Sequence, residues 1–331
     1  MIDNIKYFIS DQNNPYKNLA LEEYLLKNVL ENQCILYLWQ NEKTVVIGKN
    51  QNPWKECKIE ALTEDGGSLA RRLSGGGAVF HDLGNLNFTF LMRKENYDLE
   101  KQLQVILNAV KNLGIPAEKS GRNDITVEGR KFSGNAFYSD GINNYHHGTI
   151  LVNVDMSMLS HYLKVSKAKL ESKGVNSVRS RVVNLKEYRP DLDIDLMKKE
   201  LIDAFGQVYS LIPEALDERD ISLKDKDKLE EKFSSWEWKY GRRLKFSSSY
   251  EERFLWGNIE IQYLVDKGVI KDCGIYSDSL NIEFFEGIAL NLIGSNYTAQ
   301  GIINTINDMP VDEETELIRR DIIQMIKEHQ Q

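Results

Sequence analysis

The chain has 331 residues, 41% hydrophobic and 28% charged, with a formal net charge of −8. That composition suits a globular protein with a substantial core, and an acidic chain is poorly matched to general binding of a nucleic-acid backbone. Three cysteines, Cys34, Cys57 and Cys273, are odd in number and lack CxxC spacing, which argues against a disulfide framework, and a reducing compartment is expected.

Residues 1–10 read as a first strand. They lack the basic stretch and long apolar run of a signal peptide, and a cytoplasmic location is expected. No apolar run in the chain is long enough to span a bilayer. Asn14-Pro15 opens a helix, Asn as cap and Pro at the first helical position, with Leu19, Leu21, Tyr24, Leu25 and Val29 on its apolar face. Strands are expected over 35–39 and 44–48, then a short helix over 59–66. After a glycine-rich loop, residues 85–91 alternate polar and apolar, which predicts a strand with one buried face. A helix over 103–113 is ended by Gly114 and Pro116. A hairpin over 124–138, a strand over 148–154, a lysine-rich helical stretch over 157–173 and an amphipathic helix over 195–209 follow.

Residues 234–238 and 241–243 look like the end of a large domain, and the serine run Ser247-Ser248-Ser249 takes the boundary. That gives domains of 1–246 and 247–331. Beyond it, 259–265 and 269–276 form a hairpin around Asp266-Lys267-Gly268, and helices are expected near 284–292, 298–308 and 312–328. There is no internal repeat and no regular βαβ alternation, so the fold class is α+β.

Four clusters carry the chemistry. Arg71-Arg72-Leu73-Ser74-Gly75-Gly76-Gly77 sets two fixed cations beside bare backbone, a candidate anion site. On composition alone the same triplet is equally a turn or bulge. Gly121 to Ala136 gathers Arg122, Asn123, Asp124, Arg130 and Lys131. His146-His147-Gly148-Thr149 comes third, and Ser177 to Leu185, with Arg179 and Arg181, fourth. The histidine pair lacks an i, i+4 partner or a Cys/Glu set, which argues against zinc. Neighbouring strand side chains point opposite ways, so Arg71 is open to a surface ion-pair role.

These four clusters, in this order, resemble lipoate–protein ligases, whose wider relatives are the biotin ligases and the lipoyl and octanoyl transferases. The resemblance covers nearly the whole chain. It implies a biotin/lipoate ligase-like, class II tRNA-synthetase-like catalytic domain and a small α+β accessory domain. It implies that ATP, with Mg2+, activates free lipoate to lipoyl-AMP and pyrophosphate. The lipoyl group then passes to a lysine of a lipoyl domain of a 2-oxoacid dehydrogenase or of a glycine-cleavage carrier protein. A monomer is expected.

By the same resemblance Lys131 stands at the active-site lysine, a compact charge able to bridge acyl carbonyl and phosphate. Arg72, Gly76, Gly77, Ala78, Val79, Phe80, Asn123, Asp124 and Lys131 are expected to bind the nucleotide. Arg72, Ser74, Gly75, His81, Lys131, His147 and Gly148 are expected to line the lipoate slot. Asn123 and Asp124 hold either the ribose or, through Asp124, a Mg2+ ion. Residues 164–184, with Arg179 and Arg181, resemble the mobile loop that covers the adenylate and excludes water, while Lys167, Lys169 and Lys173 in it read as a solvated basic face.

The rival reading is a lipoyl or octanoyl transferase working without ATP, some relatives of which use a cysteine nucleophile. All three cysteines here lie outside the four clusters. A biotin ligase is disfavoured by the sequence at 71–77, and a silent docking module by the presence of Lys131.

Overall fold

The computed structural model describes residues 1–121, 124–164, 182–217, 223–241 and 246–329. Its contacts divide into two units. The first comprises Met1–Val46, Trp54–Arg72 and Val79–Lys239; the second comprises Ile47–Pro53, Leu73–Ala78 and Tyr240–Gln331.

The first unit contains β1 (Asn4–Ile9), β2 (Gln33–Trp39), β3 (Thr44–Ile47), β4 (Ser68–Arg71), β5 (Val79–His81), β6 (Asn85–Arg93), β7 (Ala117–Ser120), β8 (Asp124–Val127), β9 (Arg130–Ser139), β10 (Asn143–Leu151) and β11 (Glu214–Ala215). Eight of these form one sheet in the order β11-β1-β2-β6-β10-β9-β8-β7, and β4-β3-β5 form a smaller one. The helices that matter most are α1 (Pro15–Asn28), α2 (Leu99–Asn112), α3 (Ile194–Tyr209) and α4 (Leu223–Ser234). Asn14 caps α1 as expected, its Oδ1 accepting the N–H groups of Tyr16 and Lys17 at 2.9 and 3.2 Å.

The large sheet has two unlike faces. One is apolar: Leu86, Phe88, Phe90 and Met92 of β6 pack with Val105, Ile106 and Ala109 of α2 and with Leu201 and Phe205 of α3. The other carries Asn85, Asn87 and Thr89, and these are buried too, at 0%, 2% and 0% exposure. The alternation over 85–91 therefore corrects to a strand buried on both faces. The polar face is covered by α1, whose buried Glu22 accepts a hydrogen bond from Thr89 Oγ1 at 2.7 Å. A polar strand face shielded from water needs a polar partner or a ligand, and that asymmetry locates the site.

Other boundaries moved as well. β10 runs over Asn143–Leu151, earlier than the expected 148–154, because the His146-His147-Gly148 run is itself extended between β6 and β9. The helix expected over 157–173 spans Met156–Tyr162, and residues 165–181 lie outside the described residues. The sequence reading did not find α4, whose lysine and acidic residues mask its period.

The second unit holds an antiparallel sheet of β12 (Ser248–Phe254), β13 (Gly257–Asp266) and β14 (Val269–Ser277) with α5 (Ile282–Leu292), α6 (Ala299–Asn307) and α7 (Glu313–His329). Its core gathers Ile259, Ile261, Tyr263, Phe285, Ile288, Ile302 and Ile322. The β13–β14 turn places Lys267 and Gly268 at φ 50° and 75°, the mirror-image turn that matches strand twist. The serine run chosen as the domain boundary leads into strand: Ser248 opens β12, and Ser247 N–H, just before it, donates to Tyr263 O at 2.8 Å.

Candidate active site

The β8–β9 hairpin sets the geometry of Lys131. Its two-residue turn, Glu128-Gly129, has both residues at positive φ (51° and 73°), so the hairpin is tight and the register pairs Val127 with Arg130. The register then shifts. Thr126 pairs with Lys131, yet Asp124 pairs with Gly134, so β9 spends one residue more than β8. This bulge puts Phe132 into the apolar core and brings Lys131 and Gly134 to one face. A Cβ at Gly134 would lie 2.7 Å from Lys131 Nζ, so the lysine amine rests on the bare glycine. Asp124 Oδ1 accepts from Lys131 Nζ at 2.6 Å, with the two side chains 38% and 36% exposed. An ion pair that open is worth at most about 1 kcal/mol, so a phosphate can take the lysine from it.

Across the same face lies a buried polar network. Glu22 Oε1 accepts from Thr89 Oγ1 at 2.7 Å and lies 2.8 Å from His147 Nδ1, and Trp39 Nε1–H donates to Thr89 Oγ1 at 3.1 Å. A second chain fixes a tautomer. Asn18 Nδ2 faces the carbonyls of Gln12 and Gln40 and Asn41 Oδ1 at 3.0, 2.8 and 3.0 Å, its two N–H groups shared among three oxygens, so the atom turned to it by Asn41 is the oxygen. Asn41 then turns its Nδ2 to His81 Nδ1 at 3.2 Å. His81 is buried and its pKa is pushed down to about 3, first by burial and then by Arg72 and His147. A neutral ring that accepts at Nδ1 carries its proton on Nε2, and that buried Nε2 has no partner among the described residues. His81 thus presents a fixed N–H donor. Arg72 is also buried; its Nη1 donates to Val46 O at 3.3 Å, and burial lowers its pKa to about 10, opposed by Tyr145 and Glu22, so it stays cationic.

Not every expected residue arrives here. Arg71 points the other way, as strand alternation requires, and donates to the carbonyls of Trp238 (2.9 Å) and Lys239 (2.8 Å). Arg130 pairs with Glu187 at 3.1 Å and donates to Tyr188 Oη at 2.9 Å, so that cation serves the hairpin rather than the lysine face. Phe80 is buried with its ring 5.3 Å from that of Tyr162, and Val79 pairs with Val46. Gly148 is a packing glycine: a Cβ there would meet Gly134 O at 2.6 Å and Phe88 Cζ at 2.7 Å.

Ser74, Gly75, Gly76, Gly77 and Ala78 cluster with the second unit. There the backbone is less bare than the sequence suggests. Gly76 N–H donates to Ser279 O at 3.1 Å, Ser74 O accepts from Lys49 N–H at 2.9 Å, and a Cβ at Gly75 would meet Ser279 O at 2.4 Å. Arg122, Asn123 and the Lys167, Lys169, Lys173, Arg179 and Arg181 segment lie outside the described residues.

Among the described residues no group of three His, Cys, Asp or Glu side chains could hold a metal ion. Asp124 alone fits Mg2+ in the way nucleotide enzymes use it, one carboxylate completed by phosphate oxygens and water. Residues that the sequence reading missed are Glu22, Trp39, Asn85, Asn87 and Thr89. The signal for Glu22 was present: it stands three positions from both Leu19 and Leu25, inside the apolar stripe of α1.

Residues 14–206 match the lipoyl protein ligase A/B catalytic domain family, and residues 243–326 the bacterial lipoate protein ligase C-terminus. The chain belongs to the lipoate–protein ligases. It is 42% identical over 305 residues to lipoate-protein ligase A of Bdellovibrio bacteriovorus, covering 90% of each chain. The structure of P. falciparum LipL1 in complex with lipoate superposes with a TM-score of 0.85 at 33% identity, covering 97% of this chain and 99% of that one. A bipartite lipoate protein ligase of Thermoplasma acidophilum, described with its E2 lipoyl domain, gives 0.65 at 27% identity, covering 75% and 100%. A lipoate-protein ligase A bound with ATP gives 0.63 at 27% identity, covering 73% and 99%. As a lipoate–protein ligase the chain is an ATP-dependent ligase with the α+β catalytic fold and small C-terminal domain that its motifs imply.

Proposed function

We propose that this lipoate–protein ligase works through Lys131. A carboxylic acid does not acylate an amine spontaneously in water. Its carboxylate attacks the α-phosphorus of ATP, the bond to the pyrophosphate leaving group breaks, and lipoyl-AMP forms. The ε-amine of an acceptor lysine then attacks the acyl carbon, AMP leaves with the bonding pair, and the amine's proton passes to solvent or to the leaving phosphate. In both steps negative charge grows on oxygens, and a preorganised cation is the main source of acceleration. Lys131, seated on Gly134, carries the reading. Arg72 adds a second fixed charge, and the His81 Nε2–H and His147 are assigned to the acid.

Gly76, Gly77, Ala78, Val79, Phe80, Asn123 and Asp124 remain assigned to the nucleotide, and Ser74, Gly75 and Gly148 to lipoate, on the motif alone. Mg2+, held by Asp124 and phosphate oxygens, would neutralise phosphate charge when bound. The acceptor is assigned as a lipoyl domain, with a glycine-cleavage carrier protein as a second candidate class, and the enzyme as a cytoplasmic monomer whose domain boundary falls near residue 247. ATP-free transfer through cysteine is disfavoured. Burial pushes Cys34 up to about 12, Cys57 to about 11 and Cys273 to about 12, and all three are buried thiols.

The decisive experiment is lipoate-dependent pyrophosphate release without acceptor. Release by the wild type and its loss in Lys131→Ala, with transfer from supplied lipoyl-AMP lost as well, supports the assignment. Wild-type rates in that variant reject it.

A further inference from the structure

One row of side chains crosses the polar face of the large sheet. Asn87 on β6 is paired with Trp39 on β2 and with Thr149 on β10. Thr149 Oγ1 in turn accepts from Gly134 N–H at 3.4 Å, and Gly134 carries Lys131 Nζ. Asn87 therefore stands two strands from the lysine seat, about 10 Å, a span comparable with extended lipoate measured from its carboxylate oxygens to its ring sulfurs.

Asn87 is 2% exposed. Its Oδ1 accepts from Asn85 Nδ2 at 3.0 Å, which leaves the Asn87 Nδ2 donor buried with no partner among the described residues. An unpaired buried amide is retained at a cost, and a ligand that supplies an acceptor there is favoured over one that cannot. The same chain already pairs an amide with sulfur, since Gln102 Nε2 donates to Met92 Sδ at 3.1 Å.

We infer that Asn87 donates to a ring sulfur of lipoate and makes the site select a sulfur-bearing acid over a plain fatty acid such as octanoate. The inference rests on the ligase reading and on the carboxyl group lying at Lys131. A hydrogen bond of ordinary net strength corresponds to about tenfold in an equilibrium constant, and that is the selectivity assigned to Asn87.

The test measures acid-dependent pyrophosphate release by the full chain with lipoate, with octanoate and with 5-cyclopentylpentanoate, a carbocycle of the same shape without sulfur. Lipoate is expected to exceed both in kcat/KM by about tenfold. Asn87→Leu is expected to lower lipoate to the level of the carbocycle while leaving the KM for ATP unchanged. Equal kcat/KM for lipoate and the carbocycle in the wild type overturns the inference without needing any variant to fold. A variant that raises the KM for ATP but keeps the lipoate-to-octanoate ratio overturns it too. A wild type that releases pyrophosphate with none of the acids overturns the ligase reading itself, and the inference with it.

Discussion

Lys131 and Gly134 share one space: a Cβ at position 134 would lie 2.7 Å from the lysine Nζ and 2.8 Å from its Cε. The clash is with the far end of a flexible side chain, so Gly134→Ala should fold and instead displace the amine. Displacement of about 1 Å in a reacting array can cost on the order of 100-fold. Gly134→Ala is therefore expected to melt near the wild type and to lose about two orders of magnitude in the rate of adenylate formation. Thermal melting and pyrophosphate release measured on the same sample check this, and an unaltered rate would remove the glycine seat from the mechanism.

Acid should unfold the first unit through its buried imidazoles. His146 Nδ1 lies 3.1 Å from the side-chain amide of Gln102 and its Nε2 2.8 Å from that of Asn135, one ring nitrogen donating and the other accepting, and burial, with His147, pushes its pKa from the ordinary 6.5 down to about 3. His81 is lowered to a similar value. A histidine lowered on folding contributes stability that is complete above 6.5 and is lost as pH falls toward 3, because the unfolded chain takes the proton first. Each such group contributes about 1.4 kcal/mol per pH unit within that window. Denaturant midpoints at pH 7 and pH 5 should fall for the wild type and fall less for His146→Gln. Identical drops would show that His146 is not the group responsible.

The three thiols should be dispensable for chemistry. Burial raises each of them, most clearly Cys34, whose Sγ lies 3.9 Å from Tyr209 Oη inside the core. A thiol kept protonated is a poor nucleophile. The single variants Cys34→Ala, Cys57→Ala and Cys273→Ala are expected to keep both half-reactions within about twofold, with Cys34→Ala losing some stability as a small cavity opens. Loss of acyl transfer in any one of them, with its fold intact by circular dichroism, would bring back a thioester route.

The parts of this protein legible in its sequence were those written in local chemistry. The Asn14 cap, the Lys267-Gly268 turn and the four motif clusters each depend on residues near in sequence, and the family match followed from them. What escaped depends on partners far away in the chain. Asn85, Asn87 and Thr89 look like a solvated strand face until α1 is laid over them with Glu22 pointing inward. The bulge at Phe132 cannot be seen without the β8 register, and without it Lys131 and Gly134 fall on opposite faces. The glycine triplet reads as bare amides only until Ser279 is known to accept from Gly76 N–H.

The chain from Asn18 through Asn41 to His81 makes a spectroscopic claim. Asn41 Nδ2 occupies His81 Nδ1, so the neutral ring should carry its proton on Nε2. Nitrogen-15 shifts of the imidazole should report a single Nε2–H tautomer in the wild type, persisting down to pH 5 because the ring titrates near 3. Asn41→Leu removes that donor and leaves the buried His81 Nδ1 unpaired, which should cost about 1–3 kcal/mol of stability. In that variant the two tautomers should mix, and with the Nε2–H no longer fixed, the KM for lipoate should rise while the KM for ATP holds. A ring already mixed in the wild type would mean that the asparagine relay does not set the donor that His81 offers to the acid.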